Sequence, residues 1–155
     1  MAVLLNDIGN SDSIPGYEVK DSHRVLQRYG FTKEDVLQLC GGIPTEEQMF
    51  TNVSITSSTE HTVVASVDSN LYSAVRTINF QSKVIYNDYI RVFSPGQHVG
   101  TTLFLRQVLS ARRHGFIKLK ATAIDYDGSE RADGYYRWAR LGYQIGMIVS
   151  ACGIC

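Results

Sequence analysis

Six consecutive residues, Gln97-His98-Val99-Gly100-Thr101-Thr102, lie where a strand-like run gives way to a helical one. A helix start presents backbone N–H groups without intrahelical partners and the positive end of the helix dipole. A glycine there lets a bulky anion approach the main chain, and two threonine hydroxyls can add donors. The chemistry this combination suits is the binding of a phosphate or diphosphate. The competing reading is a plain strand–turn–helix connection, which any α+β fold contains. The surrounding charge suits either an anion site or a solvated helix face that happens to lack acids. From Tyr89 to Ile124 there is no Asp or Glu, and the same stretch carries Arg91, Arg106, Arg112, Arg113, Lys118 and Lys120 with His98 and His114. Such a local positive field fits a small polyanion. A nucleoside-triphosphate loop is excluded, because G-x-x-x-x-G-K-[ST] does not occur, and a dinucleotide-binding site is disfavoured by the lack of G-x-G-x-x-G and by preceding strands that read as antiparallel.

The elements that must position this turn follow from periodicity. Residues 1–16 are polar and turn-rich and read as a loose leader, with one domain over 17–155. A short helix is expected within 18–29, ended by Gly30, and a second at about 33–40, opened by Thr32-Lys33-Glu34-Asp35 and closed by Gly41-Gly42. Four period-two runs come next: Met49–Thr56, His61–Asp68, Leu71–Phe80 and Lys83–Phe93. They predict an antiparallel meander. From Thr101 to His114 the period turns helical, with Phe104, Leu105, Val108, Leu109 and Ala111 as the apolar face and Gly115 as its stop. A strand over 116–124, a helix over 132–140 and a strand over 143–151 complete the chain. The fold class is α+β, a mixed and mostly antiparallel sheet with flanking helices.

Bulk properties exclude other classes. With 155 residues, 44% hydrophobic and 19% charged, the chain is long enough for one core and too ordinary in balance to be disordered. Zero formal net charge gives no support for nucleic-acid binding, and no apolar run is long enough to span a membrane. The start lacks a basic n-region, so a cytoplasmic protein is expected. Cys40, Cys152 and Cys155 do not make a disulfide framework, and Cys152-Gly153-Ile154-Cys155 lacks the further ligands a metal would need. Cys40 falls at a helix end, the wrong pole for activating a thiol.

Gln97-x-x-Gly100-x-Thr102 resembles the Q/R-x-x-G-x-G/A turn of the GNAT (Gcn5-related N-acetyltransferase) superfamily. The segment Lys118-Leu119-Lys120-Ala121-Thr122-Ala123, followed by Tyr135-Tyr136-Arg137-Trp138-Ala139-Arg140-Leu141-Gly142-Tyr143, is similar to that family's later strand and aromatic Gly-Phe closure. The likeness runs from about residue 49 to 145 and is to a divergent bacterial variant. It implies a GNAT-like sheet and transfer of an acetyl group from acetyl-CoA to an amine, with no metal. Val99, Gly100, Thr101 and Thr102 would hold the pyrophosphate, with Gln97 pinning the turn and His98 beside it. A main-chain N–H near Val92 or Phe93 would polarise the thioester. Tyr135 or Tyr136 is the candidate acid and Asp88 the candidate base. The sequence departs from the family at Thr102, where Gly or Ala is usual, and at Trp138, where a proton-donating Tyr is common. It also ends soon after Gly142. Those departures support an alternative: a GNAT-fold module that binds CoA or a protein partner without turnover. The acceptor amine leaves no readable trace, and a homodimer stays open.

Overall fold

A computed structural model describes residues 14–43, 50–93, 99–121 and 149–150. Among the described residues, seven strands form one sheet in chain order: β1 (Gly16–Lys20), β2 (Asn52–Ser57), β3 (Thr62–Asp68), β4 (Tyr72–Asn79), β5 (Val84–Val92), β6 (Lys118–Ala121) and β7 (Val149–Ser150). Four of the six neighbouring pairs are antiparallel; β1–β2 and β5–β6 are parallel. The helices are α1 (Val25–Tyr29), α2 (Lys33–Leu39) and α3 (Val99–Arg113). The α+β class and the mixed, mostly antiparallel sheet are as the sequence predicts.

Strict alternation makes the meander. Along β2, β3 and β4 every second side chain is buried, so Val53, Ile55, Val63, Ala65 and Ile78 share one face. Helices α2 and α3 pack on that face through Val36, Leu37, Leu39 and Leu103. The opposite face carries Ser54, Ser66, Thr77 and Tyr86, exposed or half-buried, and no described helix covers it.

The expected helix over 18–29 is corrected at its start. Tyr17-Glu18-Val19-Lys20 alternates apolar with charged, and these residues extend alongside Val53–Thr56 as β1. The packed body also begins earlier than the expected leader boundary, since Ile14 is buried. Asp21 then starts α1, its two carboxylate oxygens accepting from the amides of Val25 and Leu26 at 2.9 Å each. The second helix matches its signal: Thr32 and Asp35 exchange the reciprocal bonds of a capping box at 2.9 and 3.1 Å. At the ends of α1 and α3, Tyr29, Phe31, Phe80 and Phe116 cluster, with the Lys83 ammonium 5.4 to 5.8 Å from three of the rings.

The residues after α2 are held by close approach. Gly41 has φ +98°, and a Cβ there would lie 2.6 Å from the Leu103 carbonyl oxygen of α3. Both the backbone angle and the contact demand glycine. Gly41→Ala is therefore expected to cost on the order of 2–4 kcal/mol in urea unfolding, with unchanged denaturant dependence. A loss below about 0.5 kcal/mol would contradict the contact.

Candidate functional site

Strand β5 carries an irregularity at its centre. Its register with β4 passes from Val75↔Tyr89 to Arg76↔Asn87, leaving Asp88 as the extra residue of a β-bulge. Buried Arg76 donates from Nη1 to the Tyr89 carbonyl at 3.1 Å, and Thr77 donates its hydroxyl to Asp88. The candidate base thus stands on the half-exposed sheet face, with one carboxylate oxygen engaged.

The bulge also sorts the amides beyond it. The Phe93 N–H donates to Leu71 O at 2.9 Å, within the ladder to β4. The Phe93 N–H is thus engaged within the sheet. By the alternation of an antiparallel ladder, Ile90 and Val92 turn their amides to the other edge, the β6 side. The described pairing between β5 and β6 runs from Val84↔Lys118 to Asn87↔Ala121. Asp88 and Val92 lie about 13 Å apart along the strand, and Asp88 and Ile90 about 7 Å, at 3.3 Å per residue. Ile90 was not singled out from the sequence, because only the bulge and the ladder show which way its amide turns.

Helix α3 begins at Val99, so Gly100, Thr101 and Thr102 form its first turn. A Cβ on Gly100 would meet Val92 Cγ2 at 3.7 Å, an ordinary contact. Among the described residues nothing requires glycine here. Thr101 is exposed and Thr102 half-buried. Gln97, His98, Tyr135, Tyr136, Trp138, Cys152 and Cys155 lie outside the described residues.

The face α3 turns inward is not the expected one. Leu103, Arg106, Gln107, Ser110 and Ala111 are buried, while Leu105 and Leu109 are 44% and 41% exposed. Phe104 and Val108 are only partly buried. The helix is rotated by roughly two-fifths of a turn from its apolar stripe, at 100° per residue. The inward face also makes a polar contact between elements. Asn87 and Gln107, each 1% exposed, exchange two hydrogen bonds of 2.9 Å, and Gln107 Nε2 also donates to Leu39 O at 2.9 Å. Unmaking such bonds in the interior costs roughly 1–3 kcal/mol for each stranded group, which competes with partial burial of two leucines at about 1.5–3 kcal/mol apiece when complete.

The positive stretch is less concentrated than its sequence suggests. Arg112 and Arg113 stand in the last turn of α3, about 18–20 Å from Gly100, where they complement the negative end of the helix dipole. Arg106 is buried. Arg91, exposed, lies 5.7 Å from the Phe93 ring at the end of β5. A concavity of about 410 Å³ lies elsewhere, over β1–β3, lined by Glu18, Asn52, Ser66 and Asp68. Its carboxylates give it the wrong sign for a diphosphate. Among the described residues no group of three His, Cys, Asp or Glu side chains could hold a metal, and no helix is long and apolar enough to cross a membrane.

No family model and no curated protein matches the chain.

Cys40 is buried at the end of α2, and burial lifts its thiol to about 11, with Arg76 offsetting part of the rise. Burial likewise raises the Tyr17 hydroxyl, which donates to Lys33 O at 2.9 Å. Both groups keep their protons in the folded state to higher pH than in the unfolded one. The thiol's contribution is complete below its ordinary value of 9.0 and is lost as pH rises towards 11, whereas the Tyr17 hydroxyl's is lost only at higher pH. Stability measured by denaturant should fall across that window, and Cys40→Ala should flatten the fall. An identical slope in the variant would contradict the buried thiol.

Proposed function

We propose that the chain is a GNAT-type N-acyltransferase that takes an acetyl group from acetyl-CoA and gives it to an amine. The observation that carries the reading is Gly100 in the first turn of α3, set against the end of β5 where nothing among the described residues requires a glycine. A glycine there leaves room for a bulky anion to approach the main chain. The unpaired amides of the first turn, Val99 to Thr102, and the helix dipole would hold the diphosphate, aided by the Thr101 and Thr102 hydroxyls.

The amides of Ile90 and Val92 face the edge along which the thioester would lie. Either could polarise its carbonyl and stabilise the oxyanion formed on amine attack. If Asp88 takes the amine's proton, directly or through one water, Ile90 is the better placed of the two, because it is half as far along the strand. Tyr135 or Tyr136 would return a proton to the leaving thiolate. The second reading, a GNAT-fold module that binds CoA or a protein partner without turnover, is favoured by Trp138 at the position where the family's acid is common. An indole N–H is a donor but not an acid at neutral pH.

Titration calorimetry with acetyl-CoA tests the cofactor, and release of free CoA with a panel of amines separates enzyme from binder. At a hundredfold excess over Kd, binding should add about 2.7 kcal/mol, a Tm rise on the order of 5–10 °C. Gly100→Ala should fold as the parent does. Gly100→Glu should also fold but bind nothing, because it places bulk and negative charge in the first turn. No heat and no thermal shift at millimolar acetyl-CoA with the parent protein would overturn the proposal.

A further inference from the structure

We infer that Asn87 and Gln107 are a positioning pair that keys Gly100, rather than its neighbours, to the end of β5. Gly100, Leu103, Gln107 and Ala111 follow one another at intervals of three, four and four residues and so form one stripe of α3. The stripe faces β5 at two points. Gly100 stands against Val92 near the strand's end, and Gln107 bonds Asn87 at the residue before the bulge. The third bond, from Gln107 Nε2 to Leu39 O, ties the same side chain to the end of α2.

The apolar residues of α3 call for a different setting. Leu105 and Leu109 lie on the far side of the helix from Gly100, and Phe104 and Val108 lie between the two faces. Rotation by about one residue's step, 100°, would carry Phe104 and Val108 inward and bring Leu105 from the far side to the flank of the buried face, while Leu109 would stay outward. It would also replace Gly100 by Thr101 against Val92, closing the space beside the first turn with a β-branched side chain. Hydrophobic burial is non-directional and does not choose between the two faces on its own. A pair of buried carboxamides does choose, because its bonds form in one rotational setting and leave stranded polar groups in every other. The pair touches no ligand. It acts through the helix, by deciding which residue stands beside the proposed diphosphate.

The inference rests on the proposed anion site for its functional meaning, and its test has one arm that does not. Leu105→Cys is placed in the parent sequence and in an Asn87→Ala/Gln107→Ala background. Its rate of alkylation by a maleimide is then followed at that peptide by mass spectrometry, which separates it from Cys40, Cys152 and Cys155. The doubly substituted background should slow labelling at position 105 at least fivefold as that side of the helix turns towards the core. It should also weaken acetyl-CoA binding at least tenfold while far-UV circular dichroism is kept. Labelling within twofold of the parent would mean that α3 holds its setting without the pair, and would overturn the inference. If the double variant does not fold, Asn87→Ala alone is read by the same rates and limits. Should the parent protein bind no acetyl-CoA, the proposed function fails, and the labelling arm still decides whether the pair sets the helix.

Discussion

Two buried carboxamides join β5 to α3, and much of the geometry around the proposed site hangs on that join. Asn87 and Gln107 satisfy each other in the interior, and Gln107 adds a carbonyl at the end of α2. The contact reaches across 20 residues of sequence to the strand and 68 to the helix end. It holds α3 with Arg106, Gln107 and Ser110 inside and two leucines outside, against the order that hydrophobicity alone would choose. The neighbouring Gly41, with a left-handed backbone and the Leu103 carbonyl where its Cβ would be, lets the end of α2 come close enough for the third bond.

The bulge supplies the second constraint. An extra residue in β5 frees the strand from a uniform ladder, and Arg76 takes up a carbonyl at the irregularity. Beyond it the amides divide between two edges, Phe93 to β4 and Ile90 with Val92 away from it. Asp88 is the residue the bulge adds, and Thr77 fixes its carboxylate on the open face of the sheet. A strand that must both belong to a sheet and offer main-chain donors at its edge needs such a break, and the proposed mechanism uses the two sides of this one.

Period-two runs with turn residues between them were enough to read four strands within a few residues of their observed limits, because a half-buried sheet makes alternation compulsory. Thr32 and Asp35 announced the start of α2 for a similarly local reason. The misreadings have tertiary causes. Tyr17-Glu18-Val19-Lys20 is too short to show its period against the helical pattern that follows, and its partner β2 is more than thirty residues away. The inward face of α3 could not be read from its leucines, since the deciding partner, Asn87, lies on another element. Nothing in the local sequence marks Asp88 as a bulge residue. Of the residues proposed for the site, Asp88, Val92 and the turn from Val99 to Thr102 are legible in both sequence and structure, whereas Ile90 emerges only from the ladder.

The central claim is that the first turn of α3 beside the end of β5 receives the diphosphate of an acyl-CoA. Backbone amide resonances of the ¹⁵N-labelled protein, followed while CoA is added, test it most directly. The account predicts saturable shifts at Gly100, Thr101 and Thr102, with Ile90 or Val92 moving in step, and none at Glu18, Asn52, Ser66 or Asp68 in the concavity over β1–β3. Shifts confined to that concavity, or no movement at Gly100 with CoA in millimolar excess, would contradict it.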